Sequence, residues 1–503
     1  MCRHPFEQKQ FLPQGGMLII AAILVILLLL SHEARSLRPV SLDKPTATNV
    51  MNLSSTGSGK MVINGGIIEE CSYDYRGTTS SVSAGSGVIG FLKTTFVPVG
   101  YPDSVPPEYR EYQFYNLLQD LCSYMRGLMA TQAMLVGLGV GNKDATALQA
   151  TVSWIFRDGA GMIGSLLFTS LYSQSFGQNI KSYRLFADLI NNVGITLEMV
   201  APLYPRHFLL LVCFASVFKA LCGVAAGACG AAINEHWGGI GNNISEVLAK
   251  NGAQHSIVSL LGLLLSVRFA TFVNKTQGRL WSIYALLTAA HVIANTRAMR
   301  VLALRSLNLV RFDIVARRAV VAEVAQGALM DGVKDKAALK VAFRDWLSAR
   351  GDAFSPRSVA DAEPILFLLL PAPLQRLAAK LLPVATINFF CPPSLIDASD
   401  MSRALQREPN PGYIIARGGG VGVVNVCLHA GVVVEEQARA YFEAALVASS
   451  KDVEPARAHE LSEHLFPIFY EFILSRGWEE KKILLHSKNA KTFKILRDKN
   501  SSY

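Results

Sequence analysis

The chain has 503 residues, of which 51% are hydrophobic and 17% charged, and its formal net charge is +10. Soluble domains usually carry about 25% charged residues, so this composition favours a membrane-associated or very apolar helical protein. The positive charge suits anionic lipid, because the sequence lacks zinc-finger spacing, a recognition-helix motif and a basic run interleaved with aromatics; we expect no nucleic-acid partner. The eight cysteines show no CxxC pairing, so we predict buried thiols.

The N-terminal 60 residues resemble a targeting leader. An uninterrupted apolar run of 14 residues, Met17–Leu30, is short for a membrane span and typical of a signal-peptide core. A basic, Ser- and Thr-rich stretch follows, up to residue 60. Two interpretations stay open: a two-part organelle leader of the plastid type, and a signal anchor with a disordered linker. Residues 61–95 contain short β-like pieces broken by glycines, which predicts a lead-in to the next domain.

Residues 96–310 are predicted to form a helical, membrane-associated core. It starts with a rigid elbow, Phe96–Arg110, where four prolines and a glycine exclude regular structure up to about Glu108. The periodicity then predicts helices at 108–139, 144–157, 159–176, 181–200, 206–233, 242–252, 254–274 and 280–310.

Up to four of these helices are long and apolar enough to be considered as membrane spans. Phe208–Ile233 is the best candidate, although Lys219 interrupts it, and the number of spans stays open. Gly223 and Gly227 within it form a GxxxG pair, which predicts a close helix crossing in a membrane or in a soluble bundle.

Gly159, Gly161 and Gly164 match the GxGxxG pattern of dinucleotide-binding loops. That motif requires a preceding strand, whereas the residues before Gly159 continue a helical pattern, so close approach of another backbone is the better interpretation. Arg157 and Asp158, directly before these glycines, are candidate binding residues.

The stretch from 181 to 198 is the most informative part of the chain. If it is helical, its polar residues lie on one stripe, and Arg184 and Asp188 share a face that turns away from Phe186 and Leu189. The most hydrophobic segments flank it, so these charges need partners or a function. A solvated stripe over a core is the simpler alternative. The candidate binding residues are Lys181, Arg184, Asp188, Asn191 and Glu198.

A second polar stripe follows the long apolar helix. Asn242, Glu246, Lys250 and Gln254 are spaced by four, and His236 precedes them. The histidines and carboxylates lack the HExxH type of spacing, so we predict no metal site. His236, Asn242, Glu246 and Lys250 are therefore candidates for binding a solute or a partner.

The remaining sequence divides into a basic helix with a linker, residues 311–363, and a small α+β domain, residues 364–503. Arginines from Arg297 onward predict either a side facing anionic headgroups or a solvated face. Residues 351–363 have a linker composition. In the last domain we predict a hairpin at 413–416 and 421–429 around RGGG, and helices at 435–450 and 460–476. No nucleophile, base and orienting group occur together, which leaves an enzyme the least favoured class.

Four blocks in this order resemble the Root UVB sensitive family. They are FVPVGYPDSVPPEYREYQFYN, WIFRDGAGMIGSLLF, KSYRLFADLINNVGITLEMVAPLYP and AAINEHWGGIGNNISEVLAKNGAQHS. The resemblance covers residues 91–310, with weaker similarity over 360–485. The chain departs from the family pattern at Val97–Val99, where Leu-Pro-Glu is frequent, and at Tyr183, where tryptophan is frequent.

The resemblance implies a membrane-associated protein, plastid-located in several plant members, with roles in ultraviolet-B responses, development and vitamin B6 homoeostasis. It also implies association with paralogues and transfers no catalytic residue. We therefore expect a mainly α protein, a polytopic or membrane-associated helical bundle with a small C-terminal α+β domain. It would bind or transport a small anionic solute, with pyridoxal phosphate as the candidate ligand. The alternative is a non-catalytic membrane-anchored adaptor acting with a paralogous partner, in a plastid envelope, another organelle or an endomembrane.

Overall fold

The computed structural model describes residues 53–56, 60–63, 66–69, 71–73, 79–81, 88–140, 146–331, 335–365, 386–408, 411–418, 423–449, 453–485 and 492–493. The apolar run Met17–Leu30 lies outside the described residues, so both interpretations of the leader stay predictions. The chain forms two compact units. Unit 1 comprises Met1–Gln132 and Ile233–Ala294, and unit 2 comprises Ala133–Ala232 and Asn295–Tyr503.

Helices dominate the described part of the chain, which confirms the mainly α class. In chain order they are α1 Val88–Phe96, α2 Tyr109–Gly137, α3 Ala147–Tyr172, α4 Ile180–Val200, α5 Phe208–Gly238, α6 Ile244–Val273, α7 Gln277–Val301, α8 Leu309–Val320, α9 Glu323–Asp331, α10 Lys336–Ala349, α11 Pro356–Ala362, α12 Ala398–Arg407, α13 Val434–Ser449 and α14 Pro455–Ser475.

The strands are short. They are β1 Leu53–Thr56, β2 Lys60–Ile63, β3 Gly66–Glu69, β4 Cys71–Tyr73, β5 Thr79–Ser81, β6 Leu307–Asn308, β7 Thr386–Phe389, β8 Tyr413–Arg417, β9 Val423–His429, β10 Ile483–Leu484 and β11 Thr492–Phe493. In unit 1, β1, β2 and β3 form an antiparallel sheet, and β4 pairs with β5.

Two predicted helix breaks were wrong, because α3 and α6 each run through a point where the sequence predicts two helices. Glycine lowers helix propensity by only about 1 kcal/mol, so it does not end a helix whose neighbours continue the pattern. In α3, Gly161 and Gly164 allow α5 to approach closely: a Cβ on Gly161 would stand 2.6 Å from Ser216 Oγ, and one on Gly164 would stand 2.9 Å from Val217 Cγ1. The predicted close approach is confirmed at Gly161 and Gly164, whereas at Gly159 no described neighbouring atom lies within 4 Å of a Cβ.

Among the described residues, no neighbouring atom lies within 4 Å of a Cβ built on Gly223 or Gly227, and α5 contacts α3 through Ser216 and Val217 instead. A helix crossing at the GxxxG pair stays a prediction.

Among the described residues, one helical stretch, Pro205–Gly238, is long and apolar enough to cross a membrane. Only 17% of its most apolar window is buried. The polytopic arrangement stays a prediction. Beside α5, the helix α3 exposes a row of large apolar side chains: Ile155, Phe156, Met162, Ile163, Leu166, Leu167 and Leu171.

The C-terminal part of unit 2 is the predicted α+β unit. β8 and β9 form the predicted antiparallel hairpin, β7 and β11 pair with β9 in parallel, and α13 and α14 provide the buried aromatics Phe442 and Phe469. Residues 351–363 are not the expected linker, because they contain α11 and bury Phe354, Val359 and Ala360.

Candidate functional site

The polar stripe of α4 lies on the buried face of the helix. Lys181, Asp188 and Glu198 are buried together with Ile195, whereas Val193 of the predicted apolar face is 48% exposed. A solvated stripe is therefore wrong for this helix. Buried charges require compensating partners, so each charged side chain of the stripe is described with the groups that it contacts.

At the start of α4, two cations meet one carboxylate. Lys181 Nζ lies 2.7 Å from Glu363 Oε2, and Arg311 Nη2 lies 3.1 Å from Glu363 Oε1. Arg311 Nε donates to the same Oε1 at 3.1 Å, so the guanidinium binds the oxygen with two of its nitrogens. All three side chains are 2% exposed.

The local chain holds Arg311 in this position. Its Nη1 donates to the carbonyl oxygen and the hydroxyl of Ser306, at 2.8 and 2.9 Å. Asn308 caps α8, where its Oδ1 accepts from the backbone N–H of Arg311 at 2.9 Å, and its Nδ2 donates to the carbonyl of Gln178 at 2.7 Å. The segment before α4 and the start of α8 are thereby tied together.

The buried cluster combines two cations with a single carboxylate. Burial lowers the pKa of Lys181 to about 8, with Glu363 acting in the opposite direction, Arg311 lowering it further, and Asp361 raising it more weakly. Burial alone would raise the pKa of Glu363, but Arg311 and Lys181 outweigh it and hold that pKa below its usual range. At neutral pH the cluster therefore contains an ionised carboxylate between two cations.

Further along α4, Arg184 forms an ion pair with Asp188 one turn on, as their spacing predicts. Asp188 Oδ2 also accepts from Asn295 Nδ2 at 2.6 Å. Arg184 is partly exposed and Asp188 is buried. Arg184 and Asn295 thus both contact the same oxygen of Asp188.

The stripe ends at Glu198, which pairs with the cation that interrupts the apolar helix α5. Lys219 Nζ donates to the two carboxylate oxygens of Glu198 at 3.0 and 3.1 Å. The pair explains how a lysine is accommodated in the candidate membrane helix. Asn191, between Asp188 and Glu198 on the stripe, is half-buried.

The second polar stripe, in unit 1, attaches α6 to the proline-rich elbow. Glu246 Oε1 accepts from the backbone N–H of Val99 at 2.7 Å, Lys250 donates to the carbonyl of Thr94, and Gln254 Nε2 donates to that of Phe96 at 2.7 Å. Thr94 and Phe96 lie in the last turn of α1, where helix carbonyls lack partners within the helix, and Val99 lies in the irregular elbow. The three side chains therefore satisfy backbone groups that no helix pairs. Asn242 has a φ of 52° in the turn before α6.

Behind this stripe, unit 1 contains a buried polar network. Asn251 Oδ1 accepts from Tyr109 at 2.9 Å and from Gln113 at 2.6 Å, and its Nδ2 donates to Asn234 at 2.8 Å. His236 Nε2 lies 3.2 Å from Glu108 Oε1 at the start of α2. The predicted residues His236, Glu246 and Lys250 thus position the elbow.

The pair before the glycines of α3 makes contacts within α3 itself. Arg157 lies 3.4 Å from Asp158 and 4.1 Å above the ring of Trp154. Asp158 is exposed, so the contact is of the surface type, which stabilises a protein by about 0–1 kcal/mol.

Sequence reasoning missed Arg311, Glu363, Asn295 and Lys219 as the partners of the α4 stripe. In the sequence pattern, Lys219 only interrupts an apolar helix, and Arg311 is one of several arginines in a basic stretch. The useful signal for Arg311 was the Asn308 cap three residues before it, since a capped helix start fixes the direction of the next side chains.

Most of the residues in this arrangement lie in the part of the chain that a protein-family model matches. The sequence model described as the "Vitamin B6 photo-protection and homoeostasis domain" matches residues 83–323, which include α4, Asn295 and Arg311 but not Glu363. Over these residues the chain matches the domain of the Root UVB sensitive family. The weaker similarity expected over 360–485 lies beyond the matched residues and stays a prediction.

Three relatives illustrate the match. "Protein root UVB sensitive 3" of Arabidopsis thaliana is 38% identical over 220 residues, which cover 44% of this chain and 50% of the relative. "RUS family member 1" of Dictyostelium discoideum is 38% identical over 238 residues, covering 47% and 45%. "Protein root UVB sensitive 2, chloroplastic" of Arabidopsis thaliana is 31% identical over 215 residues, covering 42% and 48%.

The matched part of the chain spans about half the length of these curated relatives. No solved structure matches the chain. The match therefore covers the helical core of the chain.

Proposed function

We propose that this protein is membrane-associated and binds a small anionic solute, with pyridoxal phosphate or a related vitamer as the ligand. The proposal depends on one observation: Lys181 and Arg311, both buried, share the single carboxylate of Glu363. Two buried cations on one carboxylate leave positive charge that a phosphate group would compensate.

The geometry of Arg311 suits a phosphate as well as a carboxylate. Its Nε and Nη2 both point at Glu363 Oε1, at 3.1 Å each. A planar guanidinium presents the same fork to two phosphate oxygens, and Lys181 would add a point charge beside it. Glu363 is thus an internal counter-ion, and the solute would take its place on the two cations.

Apolar surfaces of α3 and α5 support the proposed membrane location. The helix α5 is long enough to cross a bilayer and mostly unburied, and α3 packs on it through Gly161 and Gly164. The exposed apolar row of α3 continues this surface, so lipid is the occupant we propose for it. A plastid envelope is the location we propose, because one relative is named chloroplastic; another organelle or an endomembrane is the alternative.

Binding by the purified full-length chain in detergent tests the proposal. We expect pyridoxal 5′-phosphate to bind, inorganic phosphate to compete with it, and pyridoxine, which has no phosphate, to bind at least tenfold more weakly. Failure of pyridoxal phosphate to bind would overturn the proposal. Exchange of the vitamer across proteoliposomes then distinguishes a transporter from a binding protein.

The second candidate is a membrane-anchored adaptor that associates with a paralogous chain or with itself. The exposed apolar row of α3 favours it, because a protein partner can cover such a surface as lipid can. Replacing Leu166 by Glu separates the two functions. Loss of partner co-purification with vitamer binding intact would favour the adaptor, whereas release from membranes alone would favour lipid contact.

A further inference from the structure

Two cysteines lie side by side in the C-terminal sheet, outside the residues matched by the family model. Cys427 is on β9, and Cys391 follows β7, the parallel neighbour of β9. Both are free thiols, with exposures of 4% for Cys391 and 0% for Cys427.

The register of the two strands sets the cysteines opposite each other. Phe389 pairs with Val426, so an undisturbed ladder would place Phe390 beside Cys427. Phe390 instead has a φ of 66°, and the backbone N–H of Cys391 donates to the carbonyl of Val426 at 3.0 Å. In a parallel ladder, the backbone N–H of a residue donates to the carbonyl of the residue that precedes its partner. Donation to the carbonyl of Val426 therefore makes Cys427 the partner of Cys391. Phe390 is therefore an inserted bulge residue, and Cys391 takes the partner position.

This position suits a disulfide. Neighbouring strands lie about 4.7–4.9 Å apart, and disulfides join Cα atoms at about 4.4–6.8 Å. The two side chains also enter the same small apolar cluster, with Ile396, Ile414 and Ala416. Bond formation would thus require no movement of the backbone between strands.

The thiols already interact. A hydrogen bond from Cys427 lowers the pKa of Cys391, and the same contact together with burial raises the pKa of Cys427. One sulfur is therefore the better nucleophile, and the other holds a proton beside it.

We infer that Cys391 and Cys427 form a modification site, a thiol pair that hydrogen peroxide converts into a disulfide. The thiol of Cys391 ionises, its thiolate attacks one peroxide oxygen, and the O–O bond breaks to give a sulfenic acid and hydroxide, which takes up the proton released by Cys391 and leaves as water. The sulfur of Cys427 then attacks the sulfenic sulfur, and the S–S bond forms as a second water leaves. Overall two thiols are oxidised and one peroxide is reduced to two waters.

The disulfide would fasten the segment after β7 to the centre of the sheet. Asn425 on β9 already binds this segment, because its Nδ2 donates to the carbonyl of Leu395 at 3.1 Å. A covalent link two residues along β9 would make that attachment permanent, and the inference is independent of the anion-binding proposal.

The test uses the reduced full-length chain in detergent, treated with equimolar peroxide and then with N-ethylmaleimide, followed by proteolysis and mass spectrometry. We expect a peptide pair joined through Cys391 and Cys427 that is lighter by two hydrogen atoms and separates on reduction. Cys391→Ser and Cys427→Ser should each lose it, and Cys229→Ser, which changes a buried thiol of α5, should keep it.

Two results would overturn the inference. In the first, maleimide labels both cysteines of the peroxide-treated chain to the same extent as in the untreated chain. In the second, Cys391 is oxidised to a sulfinic acid while Cys427 remains a free thiol. The wild-type chain alone gives this answer, so it does not depend on the folding of a variant. The oxidised chain should also unfold at a higher temperature than the reduced chain, and an equal or lower temperature would contradict the proposed link.

Discussion

Lys181 Nζ lies 2.7 Å from Glu363 Oε2, with both side chains 2% exposed. The pair joins the first turn of α4 to the residue after α11, and Arg311 completes it from α8. Because the same carboxylate serves two cations, the three residues are not equivalent in their effect on stability.

Removing the carboxylate should be more damaging than removing one cation. We expect Glu363→Gln to lower the free energy of unfolding by about 3–5 kcal/mol, since it leaves two buried cations without an anion. Lys181→Met should cost less, because Glu363 keeps Arg311 as a partner. Chemical denaturation in detergent measures both, and an equal loss in the two variants would show that Arg311 gains no stability from Glu363, which would contradict the shared carboxylate.

The contact between α3 and α5 can be tested with two glycines of one helix. Gly164→Ala places a methyl group 2.9 Å from Val217 Cγ1, and such overpacking costs about 1–3 kcal/mol. Gly159→Ala is the matched control, because nothing lies within 4 Å of its Cβ and alanine favours a helix by up to about 1 kcal/mol. The unfolding temperature should fall for Gly164→Ala and rise for Gly159→Ala. A shift in the same direction for both variants would contradict the close crossing of α3 and α5.

The polar network of unit 1 depends on Asn251. Replacing it by alanine removes the acceptor of Tyr109 and Gln113 and the donor to Asn234, and each buried group left unsatisfied costs about 1–3 kcal/mol. We expect a lower unfolding midpoint in denaturant. Lys250→Ala, on the more exposed part of the stripe, is the control and should have a smaller effect; a reversed order would be evidence against the network.

His459 should make stability depend on pH. Its Nδ1 lies 3.0 Å from the buried Glu443 carboxylate, which also accepts from Tyr413 and Ser462. The hydrogen bond to Glu443 raises the pKa of His459, burial and Arg439 oppose it, and Glu463 on the next turn adds to it.

Because the folded pKa is raised, this stabilisation is complete below the unfolded pKa of about 6.5 and is lost as pH rises through the folded value. His459→Gln should lose that part of the pH dependence, as unfolding curves above about pH 6 would show. An unchanged pH profile would mean that the imidazole is uncharged in the folded protein.

Local pattern predicted much of the fold. The spacing of Lys181, Arg184 and Asp188 predicted a helix and a common face, and the alternation around RGGG predicted the β8–β9 hairpin. Both follow from interactions within a few residues. The same information could not identify Glu363 as the partner of Lys181, because the two meet only after α8 and α11 have folded in unit 2.

The second stripe is another case in which sequence pattern predicts a polar face but not its partners. The pattern of Glu246, Lys250 and Gln254 at steps of four predicts a binding surface, but their partners are the backbone of Thr94 and Phe96 at the end of α1 and of Val99 in the elbow. Pattern indicates that polar groups share a face, whereas only tertiary structure shows whether that face is already occupied.

The central claim is that Lys181 and Arg311 form an anion site whose internal occupant is Glu363. Titration of pyridoxal 5′-phosphate against the wild type, Glu363→Gln and Arg311→Lys tests it most directly, with inorganic phosphate as the second ligand. We expect Glu363→Gln to bind at least about tenfold more tightly and to regain stability in phosphate, and Arg311→Lys to bind at least about tenfold more weakly, since a charged hydrogen bond contributes about 1.5–3 kcal/mol. Equal affinity in all three proteins, with no stabilisation of Glu363→Gln by phosphate, would contradict the claim.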